Sequence, residues 1–242
     1  MLDCYYMDLS GDCSYEQSLV LSEYLLPERK ERVDRLKNKT VAVRQILSGI
    51  FLQYCLGKKL DILPQNTTKE LKLLYNEHGK PYLRNNKYYF NLSHSGGYVV
   101  LALSDTEVGI DIERLREKRT NVAKRFFCKE EYENILSSDK KFLEYWTMKE
   151  AFVKCCGSGL DIPLNSFRIV SNSENTYNAE FADCSEYSSF EKYILRVFEL
   201  KKDYNISVCS LDKAILLSMN SLWNDNLNVK NINLYDIFEA FD

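Results

Sequence analysis

The fold follows from one short stretch in the middle of the chain, Val108-Gly109-Ile110-Asp111-Ile112-Glu113. Its alternation of apolar and acidic residues predicts a β-strand, because successive side chains of a strand point to opposite faces. The two isoleucines would enter a core, and Asp111 and Glu113 would share the other face. Neighbouring carboxylates repel each other unless a cation lies between them, which points to Mg²⁺ or Mn²⁺, since both prefer oxygen ligands. Alone, such a pair is more often two solvated acids at a strand end.

The sequence on both sides of this strand alternates between helical and strand patterns. Apolar residues recur every three or four positions from 40 to 56, which predicts a helix that Gly57 ends. Helical spacing returns at residues 129–136 and 140–156. Strands are predicted at residues 88–91 and 98–103, and a mostly antiparallel sheet at 167–170, 178–181, 193–200 and 206–210.

These patterns predict an α+β fold in two similar-sized halves. The halves are residues 1–104 and 105–212, with the seam just before the central strand. Residues 213–242 are polar and poorly patterned, and we expect them to form a peripheral tail.

Composition excludes several classes of protein. The chain has 242 residues, 45% of them hydrophobic, and a net charge of −3, so no global charge favours nucleic acid or an anionic membrane. No stretch reaches the roughly 20 apolar residues that span a bilayer, and the first residues lack a signal-peptide pattern. The eight cysteines contain no Cys-x-x-Cys pair, which in a chain of this length favours reduced thiols and a cytoplasmic location.

A second cluster of charged residues lies in the predicted helix from 140 to 156. Glu150 and Lys154 are four residues apart and therefore share a face. A surface ion pair would explain that spacing, but Trp146 falls on the same stripe and suggests partial burial. Buried charges need partners such as a metal ion or phosphates.

A third motif, Phe90-Asn91-Leu92-Ser93-His94-Ser95-Gly96-Gly97, is predicted to be a polar turn after a strand. Such a turn can present backbone N–H groups to a phosphate, with Ser93 and His94 as further donors. A structural histidine is an equally good interpretation of the residues alone.

Taken together, four motifs resemble the successive signature motifs of the Sfp-type phosphopantetheinyl transferases, in the order and at the spacing of that family. They are Asn76-x-x-Gly79-Lys80-Pro81, Phe90 to Ser95, Gly109 to Glu113, and Trp146-x-x-Lys149-Glu150-Ala151-x-x-Lys154. Arg125-Phe126-Phe127 and Gly157-x-Gly159-Leu160 add supporting matches, and the resemblance covers about residues 27 to 210. One such motif is weak, whereas four in register are specific.

The resemblance implies two pseudo-symmetric α+β halves, with coenzyme A and Mg²⁺ (or Mn²⁺) bound at the seam. Asp111, Glu113 and Glu150 correspond to the family's metal ligands. Coenzyme A would be held by seven residues: Lys154 and His94 at the phosphates, Lys80 and Ser93 beside the nucleotide, and Arg44, Arg29 and Arg32 near the 3′-phosphate. The family often has lysines at the positions of the last two arginines.

The implied reaction is attack by a serine of an apo acyl or peptidyl carrier protein on the β-phosphate of coenzyme A, which releases 3′,5′-ADP. Positioning and charge neutralisation dominate such transfers. We expect Asp111, Glu150 and Lys154 to be catalytic, with Glu150 as the base that takes the serine proton, directly or through a metal-bound water. A monomer acting on carriers of nonribosomal peptide or polyketide synthesis fits the two-half length.

The stretch from Arg114 to Arg125 is locally basic, with six cationic residues and the single acid Glu117: Arg114, Arg116, Lys118, Arg119, Lys124 and Arg125. A docking strip for an acidic carrier protein would explain this surplus, because electrostatic steering raises the association rate. A solvated surface would explain it as well.

Two other functions use part of the same residues. A metal-dependent nucleotide phosphoesterase would explain the acids and the lysines, but not the Ser-His motif beside the Trp-x-x-Lys-Glu motif. A non-catalytic protein that binds coenzyme A or a carrier would not need all three acids. Dependence of product formation on Mg²⁺ and on a carrier protein separates the three.

Overall fold

The computed structural model describes residues 1–11, 13–84, 87–115, 120–173, 176–182, 187–211 and 229–241. Helices and strands are mixed along these residues, which confirms the α+β class. Within the described ranges, no helix is long and apolar enough to cross a membrane.

The N-terminal elements are β1 (Leu2–Asp8), α1 (Tyr15–Ser22), α2 (Pro27–Asp34), α3 (Lys39–Leu60), α4 (Thr67–Glu70), β2 (Leu73–Tyr75), β3 (Pro81–Leu83), β4 (Tyr89–Ser95) and β5 (Tyr98–Ser104). The elements that follow are β6 (Val108–Arg114), α5 (Thr120–Phe126), α6 (Lys129–Leu136), α7 (Asp139–Cys156), β7 (Phe167–Ser173), β8 (Thr176–Phe181), β9 (Ile194–Lys201), β10 (Tyr204–Ser210), β11 (Val229–Asn231) and α8 (Leu234–Phe241). Short 3₁₀ helices cover Pro64–Asn66, Gly159–Asp161 and Ser188–Phe190.

The chain divides into two compact units, each made of separate stretches of the sequence. The first unit comprises residues 1–4, 74–96 and 100–228, and the second comprises 5–73, 97–99 and 229–242. Residues 74–96 join the C-terminal part of the chain because β4 packs against β6. The sequential halves 1–104 and 105–212 stay a prediction.

The first unit is built on a five-stranded antiparallel sheet of order β6-β10-β9-β8-β7. Helix α7 packs against β6 and β10. Phe152 of α7 meets Phe167 of β7, with ring centroids 4.8 Å apart, in the core between helix and sheet. Gly109 permits the close approach of helix and strand, because a Cβ at this position would lie 2.0 Å from the Ala151 carbonyl oxygen.

Also within the first unit, β5 lies between β4 and the first residues of β1. The carbonyl of Met1 accepts a hydrogen bond from the Asp105 N–H at 3.3 Å. Residues 100–104 are all buried, as expected of a central strand with apolar residues on both faces.

The second unit is mainly helical, and α3 packs against α1, α2 and α8. The predicted end of α3 at Gly57 is wrong, because the helix continues to Leu60 and ends at Asp61, whose φ is 60°. Gly57 is needed for packing, since a Cβ there would lie 3.0 Å from the Ile62 carbonyl oxygen.

The end of the chain has more structure than a peripheral tail. Residues 213–228 of that predicted tail lie outside the described residues, but 229–241 form β11 and α8. The Ile232 N–H donates to the Tyr6 carbonyl at 3.0 Å, and Phe241 is buried with its ring 5.2 Å from that of Tyr24. Most residues of α8 are apolar, and Ile237 and Phe241 are buried four residues apart on one face of the helix.

Candidate active site

Strand β6 places two acids on one face, as its alternation predicts. Asp111 is 3% exposed and Glu113 is half-buried, while Ile110 and Ile112 enter the core. Across the strand pair, Ser207 of β10 lies opposite Asp111, and Asn205 lies opposite Glu113. Directly opposed residues of antiparallel strands share a face, so the acids lie in a polar layer above the sheet.

Helix α7 lies over this layer and adds a cation. Lys154 Nζ lies 2.5 Å from Asp111 Oδ1, an ion pair in which the aspartate is almost fully buried. Glu150, one turn earlier, is half-buried. Thr147, another turn earlier, fixes the helix on the sheet because its hydroxyl lies 2.8 Å from that of Ser207. The structure thus brings the central strand and the Trp-x-x-Lys-Glu helix together.

Two acids of this layer have raised pKa values. Burial raises the pKa of Asp111, although the Lys154 ammonium opposes this shift. Burial also raises the pKa of Glu150, which Lys154 lowers and the charges of Asp111 and Glu113 raise further. Both directions indicate carboxylates that would gain from a further cation.

A divalent cation fits this donor set, although the geometry is not that of a formed metal site. The candidate ligands offer only carboxylate oxygens, which suit Mg²⁺, and Asp111 Oδ2 is buried with no hydrogen-bond partner among the described residues. However, no group of three or more His, Cys, Asp or Glu side chains in the described ranges is arranged so that it could hold a metal ion. The assignment of Asp111, Glu113 and Glu150 as metal ligands therefore stays a prediction.

The Ser-His motif is part of a strand, so the predicted turn at this position is wrong. Strand β4 extends through Ser95, and the turn begins at Gly96, whose φ is +55°. Ser93 points toward the acids, donating to Asp111 Oδ1 at 2.8 Å and accepting from Lys154 Nζ at 3.3 Å. His94 is exposed, as the alternation of the strand requires. The predicted phosphate contacts of Ser93 and His94 are not tested by these positions.

The Asn-x-x-Gly-Lys-Pro motif contacts the C-terminal end of α7. Lys80 Nζ donates to the carbonyls of Val108 at 3.2 Å and Cys155 at 3.0 Å, and burial lowers the pKa of this lysine. Asn76 Nδ2 donates to the Gly157 carbonyl at 2.7 Å. Lys80 thus joins the start of β6 to the end of α7, and its predicted role beside the nucleotide stays a prediction.

Sequence patterns did not predict a buried ion pair between α7 and α6. Lys149 is 0% exposed, and its Nζ lies 2.9 Å from Glu131 Oε2 of α6. It also donates to the carbonyls of Leu164 at 2.7 Å and Phe167 at 2.6 Å. Burial lowers the pKa of Lys149, and the Glu131 carboxylate opposes the shift. No spacing rule links residues 18 positions apart, so sequence patterns could not reveal this pair.

The three arginines predicted near a 3′-phosphate lie in the second unit. Arg29 and Arg32 are on α2, and Arg44 is on α3. Arg29 packs over Gly49 of α3, because a Cβ at position 49 would lie 2.4 Å from Cδ of Arg29. Their role at the nucleotide stays a prediction.

Half of the basic strip can be placed. Arg114, Lys124 and Arg125 are exposed, and Arg125 lies over the Phe126 ring, 5.2 Å from its centroid. Residues 116–119, with the other three cations, lie outside the described residues.

Comparison with known proteins places both parts of the chain in one group. The family model described as the 4′-phosphopantetheinyl transferase superfamily matches residues 107–209. The model described as the 4′-phosphopantetheinyl transferase N-terminal domain matches residues 12–106.

Individual relatives agree over most of the chain. The 4′-phosphopantetheinyl transferase gsp of Aneurinibacillus migulanus is 33% identical over 202 residues, 81% of this chain and 80% of the relative. The 4′-phosphopantetheinyl transferase Sfp of Bacillus subtilis (strain 168) is 29% identical over 211 residues, 85% of this chain and 89% of the relative. A structural likeness to Thermotoga maritima holo-[acyl-carrier-protein] synthase is weak, with a TM-score of 0.35 and 17% identity over 47% of this chain and 73% of that one, and nothing is drawn from it.

Proposed function

This chain belongs to the 4′-phosphopantetheinyl transferase family, and from that membership we propose that Asp111, Glu113, Glu150 and Lys154 form its reaction centre. The protein is an enzyme that transfers phosphopantetheine to carrier proteins. The observation that supports this centre is the 2.5 Å ion pair between Lys154 of α7 and Asp111 of β6, which joins two of the four motifs in one buried layer.

The donor in this proposal is coenzyme A, held by Lys154 and His94 at the phosphates, Lys80 and Ser93 beside the nucleotide, and Arg29, Arg32 and Arg44 near the 3′-phosphate. Lys154 suits its role because an ammonium has three donors. Two of them contact Asp111 and Ser93, and its side chain is 29% exposed. The third N–H can donate to a phosphate oxygen while the first two hold the lysine in place.

Magnesium completes the centre in this proposal, with Asp111, Glu113 and Glu150 as its ligands. A bound Mg²⁺ would neutralise the pyrophosphate and stabilise the charge that develops as the phosphoanhydride breaks. The unpartnered Asp111 Oδ2 and the raised pKa values of Asp111 and Glu150 support a cation at this position.

Glu150 is the proposed general base. The carrier serine forms an Oγ–phosphorus bond, the bond from that phosphorus to the 3′,5′-ADP oxygen breaks, and the serine proton passes to the Glu150 carboxylate. Glu150 suits this role because its half-buried carboxylate lies close enough to Lys154, Asp111 and Glu113 for their charges to shift its pKa.

The proposed partner is an apo acyl or peptidyl carrier protein that docks near Arg114 to Arg125. Arg114 of this strip follows Glu113 directly, so an acidic carrier bound there would bring its serine close to the reaction centre. We further propose a cytoplasmic monomer. All seven cysteines among the described residues are free thiols, as in a reducing compartment, and both family domains are present in one chain.

Intact mass spectrometry of an apo carrier protein tests the proposed centre. With enzyme, coenzyme A and Mg²⁺, we expect the carrier to gain one phosphopantetheine, and we expect no gain with EDTA or with the Asp111→Ala variant. The matched control is Asp34→Ala, since Asp34 is an exposed aspartate of α2. Unchanged transfer by Asp111→Ala, or in EDTA, would contradict the proposal. Phosphate release without any carrier would favour a phosphoesterase instead.

A further inference from the structure

Strand β4 contacts the edge of β6 through side chains. Three residues at alternate positions accept backbone N–H groups of β6: Asn91 Oδ1 from Ile110 at 2.8 Å, Ser93 Oγ from Ile112 at 3.4 Å, and Ser95 Oγ from Arg114 at 3.1 Å. The two strands are edge strands of different sheets. Side-chain oxygens thus replace the backbone ladder that would otherwise satisfy this edge.

The two serines differ from Asn91 because each also contacts an acid. Ser93 Oγ donates to Asp111 Oδ1 at 2.8 Å, and Ser95 Oγ donates to Glu113 Oε2 at 2.7 Å. A hydroxyl has one proton. Since the β6 N–H groups supply protons to these oxygens, the serine protons must point to acceptors, and the carboxylates are those acceptors. Each serine therefore couples the position of the β6 backbone to the orientation of one carboxylate.

We propose that Ser95 is a positioning residue, which fixes the orientation of Glu113 and thereby the affinity of the centre for its divalent cation. Ser95 is 6% exposed, so its two hydrogen bonds are shielded from water. Glu113 is half-buried at the end of β6, where a long side chain has several rotamers and gains from being held. The inference rests on the metal site proposed above.

Among the described residues, Ser95 reaches the acids through its hydrogen bond to Glu113. Its hydroxyl proton and one lone pair are committed to Glu113 and Arg114, whereas Ser93 also contacts Lys154. Loss of Ser95 should therefore weaken metal binding without removing a ligand. Partners of metal ligands typically contribute roughly 10–100-fold to affinity.

The test measures Mn²⁺ binding by electron paramagnetic resonance, with the full chain and without coenzyme A. We expect Ser95→Ala to raise the Mn²⁺ dissociation constant about tenfold or more, and Ser95→Thr, which keeps the hydroxyl, to restore most of the affinity. Asn91→Ala is the matched control, because Asn91 makes the same kind of bond to the β6 backbone and contacts no carboxylate among the described residues. It should lose comparable thermal stability and leave the dissociation constant within about twofold. If Ser95→Ala does not fold, Ser95→Cys takes its place in the test, because a thiol has a similar volume but is a weaker hydrogen-bond donor than a hydroxyl.

The outcomes separate the inference from the proposed function. If wild type binds Mn²⁺ and Ser95→Ala binds it equally well, or loses no more affinity than Asn91→Ala, the positioning role is wrong while the metal site stands. If wild type does not bind Mn²⁺, the proposed metal site is wrong and the positioning role falls with it. The carrier mass assay reports transfer independently of both results.

Discussion

At the scale of single residues, the candidate site contains acids whose charged forms are disfavoured by burial. Among the described residues, Lys154 is in direct contact with Asp111 and its charge also acts on Glu150. Burial raises the pKa of Asp111 and of Glu150, so the folded protein stabilises their neutral forms more than water does. A loss of stability of this kind is expected at a functional site that needs a charge which folding does not favour.

Glu150→Gln should therefore stabilise the metal-free enzyme at neutral pH while it abolishes transfer. Because the folded pKa of Glu150 is raised, the folded state binds more protons than the unfolded state between the two pKa values. The contribution of Glu150 to stability therefore falls as pH rises through the ordinary range of a glutamate. We expect the melting temperature of the variant to rise by about 2–4 °C, which corresponds to about 1 kcal/mol in a chain of this size.

Thermal unfolding in EDTA, at pH 4 and pH 7.5, measures this effect. The difference between variant and wild type should be larger at the higher pH. A Glu150→Gln protein that is less stable than wild type at pH 7.5 would show that the carboxylate is well solvated and would remove the electrostatic argument for a cation.

At the scale of elements, α7 combines a structural side and a reactive side. Lys149 lies in the protein core and bonds to Glu131 and two carbonyls, whereas Lys154 and Glu150 face the acid layer. The register of the helix is thus fixed by a buried ion pair. A shift of the helix would move the reactive side chains relative to β6.

Lys149→Met should destabilise the protein by about 3–5 kcal/mol, because it leaves the buried Glu131 carboxylate without its cation. The double variant Lys149→Met/Glu131→Gln should be more stable than Lys149→Met alone, since it removes the uncompensated charge. Urea unfolding of the wild type, Lys149→Met, Glu131→Gln and the double variant gives the coupling energy of the pair. Additive effects would mean that the two side chains do not interact.

Gly109→Ala should disrupt the contact between β6 and α7. A methyl group there would lie 2.0 Å from the Ala151 carbonyl oxygen and 2.4 Å from the Cys155 nitrogen, both backbone atoms that cannot rotate away. We expect a loss of about 3 kcal/mol, the upper end of typical overpacking, and a loss of transfer in the fraction that folds. Gly11→Ala is the control, since nothing lies within 4 Å of a Cβ at that position. Equal melting temperatures for the two variants would contradict this account.

At the scale of the whole molecule, the distribution of charge matters more than its sum. The net charge is −3, yet three cations that follow the acids of β6 in the sequence are exposed: Arg114, Lys124 and Arg125. A local cationic surface on an acidic protein can select an acidic partner by steering, and this effect is screened by salt.

Lys124→Glu/Arg125→Glu should raise the KM for an apo carrier protein about tenfold at low ionic strength, with little change in kcat. The difference from wild type should shrink as salt rises from about 0.05 M to about 0.5 M. Lys69→Glu/Lys72→Glu changes the net charge equally at exposed lysines of the second unit and is the matched control. An equal increase of KM in both double variants would attribute the effect to net charge and not to the strip.

The sequence by itself determined the family and the local geometry of each motif. The period of a strand put Asp111 and Glu113 on one face, and the period of a helix put Glu150 and Lys154 on another. These are relations between residues close in the chain, which composition and spacing describe. The resemblance to one family, carried by the order and spacing of four motifs, implied that the strand and the helix contribute to one site.

Tertiary structure decided which groups these side chains contact. It paired Lys154 with Asp111, and it directed Lys80 to two carbonyls. It made Ser95 a neighbour of Glu113, and it folded residues 229–241 into a strand and a helix. Sequence patterns could not reveal these contacts, because every residue carries a carbonyl and periodicity extends only along one element. Which carbonyl or carboxylate a distant side chain reaches depends on how elements pack, and packing is set by the summed burial of many side chains.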